Sequence, residues 1–235
     1  MAAMPGSAVR LLMFGAPGVG KGTQAAVLCG RLGIPHLATG DMLRAAIRGG
    51  TPEGLEARAI VERGELVPDA LISALVGARL ALPDMQDGFI LDGFPRTLSQ
   101  AETLGDLLVG IGFPEPLVFN LGVDENRLEE RISRRLTCSV CQEIYNSVSH
   151  GPKISGRCDR CEGLLEARAD DNKSVLQERI ADFRSQTEPL VSYYRARGSL
   201  VDILGDRDIG AVGADILASV NGRANGMPQL RGDLR

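Results

Sequence analysis

Nine consecutive residues, Gly15-Ala16-Pro17-Gly18-Val19-Gly20-Lys21-Gly22-Thr23, carry the clearest chemistry in the chain. Gly15, Gly20 and Lys21 fit G-x-x-x-x-G-K-[ST], the phosphate-binding P-loop. The glycines allow backbone N–H groups to turn inward and approach an anion. Lys21 adds a full positive charge for the outer phosphates. One position departs from the pattern: Gly22 stands where Ser or Thr usually reaches a metal, and Thr23 follows. The departure weakens a plain nucleotide-hydrolase reading and leaves phosphate binding intact. A glycine-rich turn with a surface lysine is the bland alternative, and the flanking elements argue against it. Val9 to Phe14 before the loop is an apolar run of strand length, and Thr23 to Leu32 after it suits a helix that stops at Gly33.

Four cysteines form a second constellation. Cys138, Cys141, Cys158 and Cys161 read C-x2-C-x16-C-x2-C, within the spacing of a zinc site. Four thiolates close a tetrahedron and leave no open position, so the expected zinc is structural, one per chain. Two disulfides are the alternative, and iron or cobalt also suit four thiolates. Cys29, on the helix after the loop, reads as a small core residue rather than a reactive thiol.

Asp92 ends the apolar run Gly88-Phe89-Ile90-Leu91. The C-terminal ends of parallel strands carry ligands, so Asp92 is placed to hold a water of a phosphate-bound Mg²⁺, with a buried structural Asp as the alternative. Arg44, Arg96, Arg131, Arg135, Arg168 and Arg179 stand at loops and hinges of a chain whose net charge is −4. Each alone could be a solvated or ion-paired side chain. Together they suit transfer between two phosphorylated substrates, where guanidinium forks and Mg²⁺ stabilise charge spread over the moving phosphoryl group. Such a reaction also needs lids, because water would otherwise accept that group.

The elements that must hold these residues follow from the patterning. The chain has 235 residues, 44% hydrophobic and 24% charged, enough for one α/β domain with an insertion or two. Strands are expected at 9–14, 35–38, 88–92, 117–121 and 200–203. The helix after 38 is expected to be capped by Thr39 or Asp41. Three short helices before Leu82 look like an insertion, and a helix from Asp124 is expected to end in Arg131, Arg134 and Arg135. A long helical pattern covers 172–197 with Pro189 breaking or kinking it, and the last helix covers 209–220. Strands alternating with helices predict a doubly wound parallel sheet. His36 reads as a structural edge residue, since no acid or nucleophile lies near it in sequence. No apolar run reaches membrane-span length. The first eight residues do not read as a signal peptide, so the expected compartment is the cytoplasm. The net charge gives no sign of a nucleic-acid partner.

Four motifs in order, Gly-Ala-Pro-Gly-Val-Gly-Lys-Gly-Thr at 15–23, Thr-Gly-Asp-Met-Leu-Arg at 39–44, Asp-Gly-Phe-Pro-Arg-Thr at 92–97 and Arg-Ala-Asp-Asp-Asn at 168–172, resemble adenylate kinase in its long form with a zinc-holding lid. The likeness runs in register from about Arg10 to Val220. It implies a P-loop nucleoside monophosphate kinase fold, with a parallel five-stranded sheet flanked by helices. Residues 9–37, 68–133 and 172–222 would be the core, 38–67 the AMP-binding insertion, 134–171 the zinc lid, and 223–235 a disordered tail. The implied reaction is ATP + AMP ⇌ 2 ADP with Mg²⁺, by direct in-line transfer in a monomer.

Carried over by resemblance, Lys21, Arg96, Arg135, Arg168 and Arg179 would be catalytic. ATP would be held by Gly15 to Thr23, Arg131, Arg135, Tyr145 and Arg207. AMP would be held by Thr39, Arg44, Leu66, Val67, Gly93, Phe94, Arg96, Gln100, Arg168 and Arg179. Asp41 and Asp92 would hold Mg²⁺ through water, and Asp170 would position the lid arginines. Two features depart from the family: Leu136 replaces a lid arginine, and Ser149 replaces an aromatic near the adenine. His150 next to it either substitutes for that ring or is a solvated loop residue. Another nucleoside monophosphate kinase, or a GTP-preferring AMP phosphotransferase, remains the alternative enzyme. A nucleic-acid-binding zinc ribbon is the alternative of another class. It lacks support, because Tyr145 is the only aromatic between Cys138 and Cys161.

Overall fold

The computed structural model describes residues 8–63, 65, 67–124, 126–147, 150–168, 171 and 173–224. Leu66, Ser149 and Asp170 therefore lie outside the described residues, as does the expected tail beyond Ala224.

Five parallel strands form the main sheet: β1 (Val9–Phe14), β2 (His36–Ala38), β3 (Gly88–Asp92), β4 (Leu117–Gly122) and β8 (Leu200–Leu204). Their order is β2-β3-β1-β4-β8. In register, Leu12 lies beside Leu91 on one side and Val118 on the other. From β1 the chain runs to the edge strand β2 and back to β3 between them, and then crosses past β1 to β4 and β8 on the other side. The order therefore reverses beside β1, and in open α/β sheets ligands bind outside the strand carboxyl ends at such a point.

Both faces of the sheet are covered, which is why its central strands are apolar without alternation. Side chains still alternate by face. Leu12, Phe14 and Leu91 pack with Leu104, Leu108, Leu190 and Tyr194. Leu11, Met13 and Ile90 pack on the other face with Leu28, Val212 and Ile216. Helices α1 (Lys21–Leu32) and α9 (Ile209–Ala224) pack together and line the second face. α5 (Leu98–Gly110) and α8 (Pro189–Ala196) line the first. No helix among the described residues is long and apolar enough to cross a membrane.

Between β2 and β3 run α2 (Thr39–Gly49), α3 (Pro52–Arg63) and α4 (Asp69–Leu80). They do not act as one insertion. α2 and α3 pack on each other, whereas α4 packs on α5, burying Ile72, Val76 and Leu80 in the main core. After α6 (Asn126–Ser133) come three short antiparallel strands, β5 (Arg135–Cys138), β6 (Ile144–Asn146) and β7 (Leu165–Glu166), in the order β6-β5-β7. The expected helix thus stops before Arg134, and Arg135 opens a strand instead. The pattern expected as one helix over 172–197 is α7 (Lys173–Asp182), a π-helical turn at Phe183–Thr187, and α8. The break falls one turn before Pro189, which opens α8 at a position where a missing N–H does least harm. The last helix runs to Ala224, four residues beyond the expected end, so its final turn occupies the start of the expected tail.

Candidate active site

β1 ends at Phe14 and α1 begins at Lys21, so the loop between them sits at the switch point with the first turn of α1 facing it. Two glycines there are required by contact as well as by torsion. Gly15 has φ +132°, and a Cβ on it would lie 2.5 Å from the Leu121 carbonyl oxygen. Gly18 has φ +82°, and its Cβ would lie 2.6 Å from Ile132 Cγ1. α1 has no acidic residue in its first turn, so its positive dipole end and open N–H groups are left for an anion. Lys21 Nζ donates to the carbonyls of Gly15 at 2.7 Å and Ala16 at 3.0 Å. Burial, with Arg96, Arg179 and Arg135 nearby, pushes its pKa down to about 8 against the opposing pull of Asp92.

Asp92 ends β3 facing Lys21. Burial alone would raise its pKa, but His36, Lys21 and Arg96 outweigh that effect and hold the carboxyl below its ordinary range. His36 Nε2 lies 3.6 Å from Asp92 Oδ2. His36 does lie on the edge strand, as expected, and the acid missing near it in sequence is supplied through space, because β2 pairs in register beside β3 and brings Asp92 to it. Neither Thr39 nor Asp41 caps α2, whose capping position is Ala38 without a side-chain bond. Thr39 is buried and its hydroxyl donates to the Asp92 carbonyl at 3.3 Å. Asp41 instead pairs with Arg44 and stands 3.8 Å from Arg168 Nη2.

Six arginines converge from six different segments of the chain. Arg96, on the turn after β3, donates through Nε to the Gly93 carbonyl at 2.8 Å. Arg131 on α6 reaches Asp206 at 3.1 Å and the Val19 carbonyl at 3.4 Å. Arg135 on β5 donates from Nε to Asp171 Oδ2 at 2.8 Å and bonds its other oxygen through Nη2. Arg179 on α7 stands 3.5 Å from that same carboxylate. Arg168 donates to the Thr137 hydroxyl at 2.9 Å. Arg207 pairs with Asp215. All of them line one cavity of about 480 Å³ together with Gly15, Pro17 to Thr23, Thr39, Asp41, Arg44, Val67, Asp92, Gly93, Gln100 and Tyr145.

Two expected residues do not line that cavity. The Phe94 ring is 1% exposed and packs in the core, and Ala16 contributes its carbonyl to Lys21. Gln100 does line it, but two bonds to neighbours hold its amide. Its Oε1 accepts from the Arg96 backbone N–H at 2.8 Å, and its Nε2 donates to Asp69 Oδ1 at 2.6 Å. Asp69, Asp171 and Asp206 are the residues that the sequence reading missed. Each acts by holding a side chain far from it along the chain. Asp171 and Asp206 pair with arginines and Asp69 with Gln100 and Thr97, and the sequence distance between the partners hides the pairing.

The three-strand unit covers the loop. A Cβ on Gly22 would lie 3.1 Å from Ile144 Cδ1 on β6. The four cysteine sulfurs lie within 4.8 Å of one another. The pairs Cys138–Cys161 and Cys141–Cys158 are 3.4 and 3.5 Å apart, far beyond a disulfide bond and close to the edges of a thiolate tetrahedron. Backbone N–H groups of Val140 and Arg160 point at Cys138 and Cys158, which suits anionic sulfur. This donor set fits zinc. Tyr145 packs between this cluster and the cavity. Its hydroxyl accepts from the Asp159 N–H at 2.8 Å and lies 3.5 Å from Cys158 Sγ. The His150 ring stacks on Tyr145 with centroids 5.8 Å apart and planes 6° from parallel. His150 also lines the cavity while remaining exposed.

Comparison with known proteins points the same way. The family model described as adenylate kinase matches residues 13–199. An adenylate kinase of Desulforudis audaxviator is 43% identical over 212 residues, covering 90% of this chain and 99% of its own. One from Bacillus subtilis is 44% identical over 208 residues, covering 88% and 96%. One from Archaeoglobus fulgidus is 43% identical over 210 residues, covering 89% and 97%.

Proposed function

The chain belongs to the adenylate kinase family, and on that premise we propose a residue-level account of how it carries out ATP + AMP ⇌ 2 ADP. The observation that carries the account is the convergence of Lys21, Arg96, Arg135, Arg168 and Arg179 on one cavity beside the phosphate loop. The loop N–H groups and Lys21 bind the donor phosphates. Arg96 and Arg44 hold the acceptor phosphate, with Thr39, Gly93, Val67 and Gln100 around the acceptor nucleoside. Arg135, Arg168 and Arg179 clamp the transferring group, whose equatorial oxygens carry the developing charge. Arg131, Tyr145 and Arg207 stand toward the donor nucleoside. The transfer is direct and in line, with no phosphoenzyme.

Residues 38–67 act as the acceptor flap and 134–171 as the lid, and the core is made of 9–37, 68–133 and 172–222. The closeness of Ile144 to Gly22 supports a lid that keeps water from the loop. Mg²⁺, when bound, neutralises donor phosphate charge, with Asp92 and Asp41 holding it through water. The four cysteines hold a structural zinc. Thiols poised as ligands suit a reducing compartment, and a cytoplasmic monomer is the proposed setting.

The test is a coupled assay of ADP formation from ATP with AMP, GMP, CMP and UMP in turn, repeated with GTP as donor. AMP is expected to give the highest kcat/KM by a wide margin. Equal efficiency with CMP or UMP would overturn the acceptor assignment, and equal efficiency with GTP would overturn the donor assignment.

A further inference from the structure

Asp69 opens α4 and does not line the cavity, yet it grips Gln100, a buried amide that does. Gln100 is 2% exposed. Two neighbours act on it with opposite chemistry. The Arg96 backbone N–H can only donate, and it meets Gln100 Oε1 at 2.8 Å. The Asp69 carboxylate can only accept, and its Oδ1 meets Gln100 Nε2 at 2.6 Å. The second oxygen of Asp69 is engaged as well. It accepts from the Thr97 hydroxyl at 2.8 Å, and that hydroxyl accepts in turn from the Gln100 backbone N–H at 3.2 Å. The carboxylate is therefore held from one side and dictates the amide orientation from the other.

An amide oriented this way keeps one lone pair on Oε1 and one hydrogen on Nε2 for a ligand. That pair is complementary to a purine edge with an exocyclic amino group beside an unprotonated ring nitrogen, as in adenine. It opposes a 6-oxo purine, which presents a carbonyl oxygen beside an N–H. To accept a 6-oxo purine the amide must flip. The flip would turn the Gln100 oxygen toward the Asp69 carboxylate and its NH2 toward the Arg96 N–H. Both native bonds would become repulsive contacts inside a buried site.

We propose that Asp69 is a positioning residue that sets the acceptor's base selectivity, by locking the Gln100 amide in the orientation that reads 6-amino purines and rejects 6-oxo purines. The proposal rests on the acceptor assignment made above. Asp69→Asn keeps the size of the side chain but can donate as well as accept, so it removes one of the two conflicts that oppose the flip.

The experiment measures kcat and KM for AMP and for IMP at saturating MgATP, in the wild type and in Asp69→Asn, with melting temperature as a check on folding. A site with buried polar groups discriminates strongly against an unpaired partner. The wild type is expected to favour AMP over IMP by on the order of 100-fold or more, and Asp69→Asn to lower that ratio about tenfold. The change should appear in KM, with kcat at saturating AMP within about threefold of wild type, because Asp69 touches no reacting atom. A merely structural role would lower both acceptors alike. If Asp69→Asn melts early, Asp69→Ser serves the same test, since a hydroxyl also donates or accepts. A wild type that prefers AMP, with both variants keeping its ratio within twofold, overturns the lock and leaves the acceptor assignment standing. A wild type indifferent to the two acceptors overturns the acceptor assignment and the lock with it.

Discussion

Lys21 is the full charge at the phosphate loop itself, and that charge is conditional. Its pKa is pushed down to about 8 chiefly by burial, with neighbouring arginines adding to the effect. Below that value the ammonium is present, and as pH rises through it the lysine becomes neutral and its attraction for phosphate fades. kcat/KM for MgATP, which reports the free enzyme, is therefore expected to fall above about pH 8. kcat should hold to higher pH, because bound phosphates favour the ammonium form. A pH profile of both parameters decides it: a kcat/KM flat to pH 10 would show that Lys21 does not titrate as its surroundings require. Lys21→Ala should fold normally and lose about 3–4 kcal/mol of barrier lowering, a turnover loss of several hundredfold. Near-normal turnover in that variant would remove Lys21 from the mechanism. At this scale the sequence is legible where chemistry is local. The loop, the C-x2-C pairs and Asp92 are read from residues a few positions apart. Asp69 and Asp171 are not, because their partners stand 31 and 36 residues away and only the fold brings them together.

The same limit governs the elements. All five strands of the main sheet fall within a residue of their expected bounds, since unbroken apolar runs between turn residues have few other solutions. The helices were less legible where tertiary contacts decide. α4 matches α2 and α3 in length but is much more apolar, and that apolar surface packs on α5 rather than on its two neighbours. The last residue of the proposed lid shows the consequence. Asp171 stands just before α7, 4% exposed by its side chain, and takes Arg135 from β5 and Arg179 from α7. It thereby fixes how the lid strand meets the helix behind it. Asp171→Ala removes that shared carboxylate between two guanidinium groups and is expected to cost about 3 kcal/mol. In a protein of this size that is a fall in Tm of about 6–12 °C, accompanied by lower kcat as Arg135 and Arg179 lose their placement. Calorimetry and turnover on one preparation test it. A Tm within 2 °C of wild type would show that the strand and helix are held by something else.

Across the whole molecule, the parallel sheet and the order of its parts were legible because strands and helices alternate along the chain. The way the lid lies over the loop was not, since Ile144 meets Gly22 through a contact with no sequence pattern. The small core of the lid, built on Cys138, Tyr145 and Cys158, is too slight to hold it folded unaided. Bound metal contributes that folding free energy directly. Chelation, or Cys138→Ser, should therefore lower Tm and open the lid to protease while leaving measurable low-temperature turnover with Mg²⁺. Loss of all turnover in a protein whose lid stays protease-resistant would give the thiolate metal a chemical role. Tyr145 joins the two ends of this assembly, with its ring at the cavity and its hydroxyl beside Cys158 Sγ. Partners of a metal's ligands tune the metal itself. Cobalt in place of zinc would thus turn the lid into a colorimetric gauge: nucleotide settling against the Tyr145 ring should shift the thiolate-to-metal absorption, and Tyr145→Phe should leave the colour but blunt its response.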